Sequence, residues 1–131
     1  MIVDHLNPPG LPSNPIYSQG VAVSGNYKTI YVGGQNAIDS NGAITGDLAV
    51  QTAQALRNVG HVLKAAGADF KDVIKWDIAV VAGHDLRQAF AAFQAEVPAV
   101  SPPPAVGMAY VAGLGRPEFL IELQAIAVVP A

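Results

Sequence analysis

The chain has 131 residues, a formal net charge of −3 and no cysteine, which excludes a disulfide framework, a thiol nucleophile and thiolate metal sites and offers nucleic acid no basic footprint. Hydrophobic residues make up 51% of it and charged residues only 13%, about half the charged share of an ordinary globular domain. One small core cannot hide that much apolar surface, so the composition predicts a single domain, residues 1–131, that associates with further copies of itself.

The opening residues MIVDHLNPPG carry an Asp and two prolines and do not read as a signal peptide. No apolar run approaches the ~20 residues of a membrane span, so a cytoplasmic protein with no membrane partner is expected. Residues 6–20 are rich in Pro, Gly, Asn and Ser and predict turns and extended chain. VAVSGNYKTIYVGG then reads as two strands around Gly25-Asn26, a hairpin. A helix follows: Asp47 stands at the N-cap position, Leu48, Ala55, Leu56, Val59, Val62, Leu63 and Ala66 recur at helical spacing, and Gly67 is the stop.

VIKWDIAVVA, residues 73–82, alternates and is β-branched, which predicts a strand. Asp85 with Gln88 three residues on resembles a capping box, opening a second helix through Leu86, Ala89, Phe90 and Phe93 that Pro98 ends. Two strands close the chain, about 105–112 and 119–129, with Phe119, Ile121, Leu123, Ala125 and Ala127 sharing a face. The order β-β-α-β-α-β-β predicts an α+β fold, two helices on one face of a mixed sheet. The opposite sheet face should be apolar as well, again calling for a partner.

Little of the usual catalytic chemistry is present. His5, His61 and His84 are far apart without ligand spacing and read as surface or capping residues. No serine sits in a Gly-x-Ser-x-Gly elbow, and nothing calls for a cofactor. Gly33-Gly34-Gln35 ends a strand without opening a phosphate-binding helix. It reads either as a bulge or as backbone N–H groups able to hold an oxyanion. Glu122 interrupts the apolar run FLIELQAIAVV. It lies either on a solvated face or partly withdrawn from water, where a carboxylate is suited to orienting or deprotonating water. Tyr17 places a phenol near the start of the sheet, or packs under a loop. From Pro102 to Val111, in SPPPAVGMAYV, no side chain carries a charge.

Taken together, PIYSQGVAV, YVGGQNAID, residues 51–80 and FLIELQAIAV resemble the RidA family, also called YjgF or L-PSP, over essentially the whole chain. The resemblance implies a chorismate-mutase-like fold and a homotrimer with a central barrel-like core and small-molecule clefts between subunits. It also implies hydrolysis of enamines or imines to a carbonyl compound and ammonia. In the family an Arg clamps the substrate carboxylate and a Glu attends the attacking water. Here Val106 stands at the Arg position within Pro104-Ala105-Val106-Gly107-Met108, Phe90 stands where an Asn is frequent, and Gly33 replaces a Ser; Glu122 and Tyr17 are retained.

Two functions are therefore expected. In the first, Glu122 and Tyr17 are catalytic, and Gly33, Gly34, Gln35, Phe90, Val106, Gly107 and Met108 bind a less acidic or more hydrophobic imine, with Arg116 as a substitute clamp. In the second, the same clefts bind a small apolar metabolite or act as a chaperone-like surface without catalysis. A third activity that some relatives carry as a label, endoribonuclease, is disfavoured by the charge of −3.

Overall fold

A computed structural model describes residues 1–131. Six strands are present: β1 (Ile2–Leu6), β2 (Gly20–Ser24), β3 (Tyr27–Gln35), β4 (Val73–Val81), β5 (Ala105–Val111) and β6 (Ile121–Pro130). The helices are α1 (Leu48–Ala65) and α2 (Leu86–Glu96), with one 3₁₀ turn at Phe70–Asp72. Neither helix is long and apolar enough to cross a membrane.

The sheet β3-β6-β4-β5 is mixed: β4 and β5 run parallel and the other neighbours antiparallel. Its centre is β6, whose alternation buries Ile121, Leu123, Ala125 and Ala127 on one face. Against that face pack Leu56, Val59 and Leu63 of α1, with Ile30, Val32 and Trp76 completing the core. This is the α+β arrangement predicted, two helices on a mixed sheet.

Local chemistry sets the ends of α1. The Asp47 carboxylate accepts from the Val50 N–H at 3.0 Å. At the other end Gly67 adopts φ +75°, and the Gly67 and Ala68 N–H groups bond back to Lys64 and Leu63 carbonyls, a Schellman closure that a Cβ would strain.

Four expectations are corrected. No hairpin forms at Gly25-Asn26: β2 pairs with β1, Ile2 opposite Ser24, whereas β3 pairs with β6, Tyr27 opposite Pro130. Gly25, at φ +95°, passes the chain from one sheet to the other, because β3 buries Ile30 and Val32 only alongside β6. Residues 2–6, not assigned to a strand from sequence, are that missing partner. Gln88 closes no capping box; Asp85 caps α2 through the Arg87 N–H instead. Phe119 is buried but precedes β6.

The face turned from the helices also differs from expectation. It is not uniformly apolar: Ile126 lies between Tyr31, 75% exposed, and Lys75, and the register aligns Asp77 with Gln124 and Ala79 with Glu122. The accessible surface, 7301 Å², exceeds the roughly 6,500 Å² typical of a compact monomer of this mass.

Candidate functional site

Beneath α2, at the β5 edge of the sheet, lies a cavity of about 520 Å³. Trp76 and Ile78 of β4, Val106 and Met108 of β5, and Phe90 and Phe93 of α2 form much of its wall. Alternation on β5 turns Val106 and Met108 toward the helices, in register with Trp76 and Ile78. The Phe93 ring meets Trp76 edge-on, centroids 4.8 Å apart at 82°, the favoured geometry for such a pair. None of the nineteen wall residues is ionisable, and Gln94 contributes the one amide.

Two of the three consecutive prolines, Pro103 and Pro104, shape the mouth. Lacking N–H groups, Pro103 and Pro104 still offer carbonyls: Pro104 O accepts from the Ser18 N–H at 3.0 Å, and Pro103 O accepts from Ser18 Oγ at 2.6 Å. His5 Nδ1 lies 2.9 Å from the same Pro103 oxygen and 3.2 Å from Ser18 Oγ. His5 is thus half-buried and bonded, a correction to its reading as a surface or capping residue. Ser18, 1% exposed, ties the N-terminal segment to the proline run, which sets Pro15 and Ile16 at the cavity. Tyr17 lies between Ile16 and Ser18, half-buried, and is not part of the wall.

Glu122 and Gly34 meet on the other face of the sheet. A Cβ added at Gly34 would stand 2.7 Å from Glu122 Cδ and 2.8 Å from Oε1, so only a glycine lets the carboxyl lie against the strand. Between Val32 and Gln35 the β3–β6 register slips, a bulge that leaves Gly33 and Gly34 without register partners. The Gln35 amide donates to the Gly33 carbonyl at 3.2 Å. Gly107 belongs to this face too: a Cβ there would come 2.7 Å from Asp77 Oδ1, the oxygen that faces Lys75 Nζ at 3.6 Å.

Register separates these two groups within one chain. Val106 and Ala125 both align with Trp76, whereas Glu122 and Ala109 both align with Ala79. The two rows are three residues apart, an odd number, so Val106 and Glu122 point to opposite faces. They are also two strand spacings apart, roughly 10 Å. Phe90, Val106 and Met108 come together; Gly34 and Glu122 come together at the bulge that includes Gly33. Gln35, grouped with them from sequence, instead aligns with Leu123 and so belongs to the helix-facing side. A single chain does not join the sets.

Arg116 is in neither group. Its Nη2 pairs with Glu118 at 3.2 Å and its guanidinium lies over Phe119, 5.6 Å from the ring centroid. The backbone N–H of Glu118, and then Arg116, hold the Glu118 carboxyl below its usual range. At the head of α2 the Arg87 side chain, bonded to both Asp85 oxygens, depresses the Asp85 carboxyl.

Sequence reasoning missed Gln94, Asp77 and the His5–Ser18 clamp. Gln94 lies one helical turn beyond Phe90, the signal that could have placed both at one cavity. Asp77 alternates with Lys75 on a strand otherwise apolar, which marks a second face that is not simply core. No local pattern links His5 to Pro103, 98 residues away.

The family described as Endoribonuclease L-PSP matches residues 11–129. The human 2-iminobutanoate/2-iminopropanoate deaminase is 46% identical over 61 residues, 45% of this chain and 42% of the human protein. The match thus spans less than half the length of the curated relatives. Among solved structures, YyfB of Yersinia pestis, a Rid family protein of unknown function, superimposes with a TM-score of 0.78 and 33% identity. That match covers 98% of this chain and 100% of the other. The YjgF product of E. coli gives 0.70 and 34%, covering 86% and 87%.

Proposed function

The chain belongs to the RidA/YjgF/L-PSP family, and on that premise we propose that it hydrolyses an enamine or imine whose substrate lacks the usual anionic grip. The observation that carries this reading is the Glu122 carboxyl held against the Gly33–Gly34 bulge. Glu122 orients a water molecule and takes its proton as the oxygen adds to the C=N carbon. Glu122 passes that proton to the nitrogen; the hydroxyl proton of the adduct follows as the C–N bond breaks, leaving a carbonyl compound and ammonia. Backbone N–H groups near Gly34 steady the developing charge, and Tyr17 helps close the cleft.

The two half-sites meet between copies, the Glu122 face of one chain against the cavity edge of the next in a homotrimer. The excess of accessible surface and the exposed Tyr31 support such an association. Sedimentation should then give about three times 13.5 kDa.

Val106 sets the substrate preference. A carboxylate drawn into this wall would lose its hydration without an ionic partner, a cost of several kcal/mol, and Arg116 is already engaged by Glu118. Wild type should therefore release ammonia from 2-iminopropionate slowly, and Val106→Arg at least tenfold faster. Robust wild-type turnover of that acid would show that the missing guanidinium does not matter.

The uncharged wall also favours a second reading, a trimer that binds a small apolar metabolite without catalysis. Ammonia release from uncharged imines separates the two: under the second reading Glu122→Gln changes nothing. RNA is a poor substrate for either, since a net charge of −3 gives its phosphates no cationic track.

A further inference from the structure

We infer that the cavity beneath α2 receives an uncharged, aryl-sized body of the ligand, and that Gln94 at its mouth is the residue that selects the polar group this body carries. The inference rests on the cleft reading above but concerns recognition, not turnover. The volume, about 520 Å³, falls within the usual range for small-molecule sites. Phe90 and Met108 are 41% and 43% exposed, and Ile16 is 53% exposed. Three large apolar side chains that water would otherwise wet therefore surround one hollow, and an apolar occupant relieves all three.

The shape of the wall favours a flat ring. Trp76 and Phe93 already stand edge to face, so an inserted ring has both an aromatic face and an edge to meet. Met108 is unbranched and adapts to the outline of its neighbour. Charge argues in the same direction: no wall residue is ionisable, while Arg57 and Arg116 are paired with Glu96 and Glu118. An ionised occupant would be desolvated alone. Gln94 offers both a donor and an acceptor, which suits a neutral amide, carbonyl or hydroxyl at the entrance.

Trp76 is the one tryptophan of the chain and stands in the wall, so its fluorescence reports occupancy without any chemistry. The probes are phenylacetamide, phenylacetate and toluene, titrated at pH 7. Phenylacetamide should perturb Trp76 saturably and bind at least tenfold tighter than phenylacetate. Val106→Arg should reverse that order, and Gln94→Leu should weaken phenylacetamide severalfold while leaving toluene unchanged. Because Gln94 is exposed, its variant tests the idea even if Val106→Arg does not fold. Equal binding of the amide and the acid by wild type, or silence of Trp76 toward all three probes, would overturn the inference. An unaltered amide-to-toluene ratio in Gln94→Leu would overturn the role of Gln94. Binding as expected with no imine hydrolysed would end the catalytic reading and leave this one standing; turnover without aryl selectivity would do the opposite.

Discussion

Gly34 and Glu122 occupy each other's space: a methyl group at Gly34 would lie 2.7 Å from the carboxyl carbon of Glu122 and 2.8 Å from Oε1. Gly34 is not held at positive φ, so the requirement for glycine is steric and not conformational. Gly34→Ala should push the carboxyl away and lower ammonia release from an uncharged imine at least tenfold. Gly33, with open space where a Cβ would go, is the control, and Gly33→Ala should retain most activity. Equal rates for the two variants would detach Glu122 from the chemistry.

Stability should follow burial. Leu56 is fully buried between α1 and the sheet, and Leu56→Ala should cost about 2–5 kcal/mol through lost burial and a cavity. Leu11 is 53% exposed, and Leu11→Ala should stay within about 0.5 kcal/mol. Urea midpoints check both, and a Leu56→Ala chain as stable as wild type would refute the assigned core.

The clamp at the cavity mouth depends on Ser18. Ser18→Ala removes the 2.6 Å bond to the Pro103 carbonyl and leaves His5 as its remaining side-chain donor. The expected loss is about 1 kcal/mol, with faster hydrogen exchange at the Ser18 amide, which bonds to Pro104. Unchanged exchange there would mean the proline run holds its place without the hydroxyl.

Acid should loosen the head of α2. The Arg87 side-chain bonds, then the Arg87 N–H, hold the Asp85 carboxyl below its usual range. A carboxylate depressed by folding contributes stability that is whole above its unfolded pKa and disappears as pH falls through the folded value. Loss of this cap is therefore confined to acidic pH, and Arg87→Ala should move it to higher pH. Both groups are exposed, so the effect is local and is best followed by a carbon NMR titration of the Asp85 carboxyl. An identical titration in Arg87→Ala would contradict the pairing.

Much of the fold could be read along the chain because its determinants are local. The helical recurrence from Leu48 to Ala66 with Asp47 before it and Gly67 after it defines α1, and strict alternation in residues 121–127 defines the buried face of β6. The hairpin at Gly25-Asn26 shows where local reading fails. That Gly has the backbone a tight turn needs, yet it turns the chain into another sheet, since a strand's partner is chosen by burial far away in sequence.

The site divides in the same way. The absence of a cation at Val106, the apolar character of residues 102–111 and the lone carboxylate of Glu122 are properties of the residues themselves, so the sequence alone determined what chemistry the chain carries. Only the tertiary structure decided that Val106 and Glu122 face opposite ways, that Phe90, Gln94 and Trp76 enclose one hollow, and that Arg116 is spent on Glu118. Alternation tells which side chains of one strand share a side; which side that is, and what stands across from it, depends on pairing register between segments that only folding brings together.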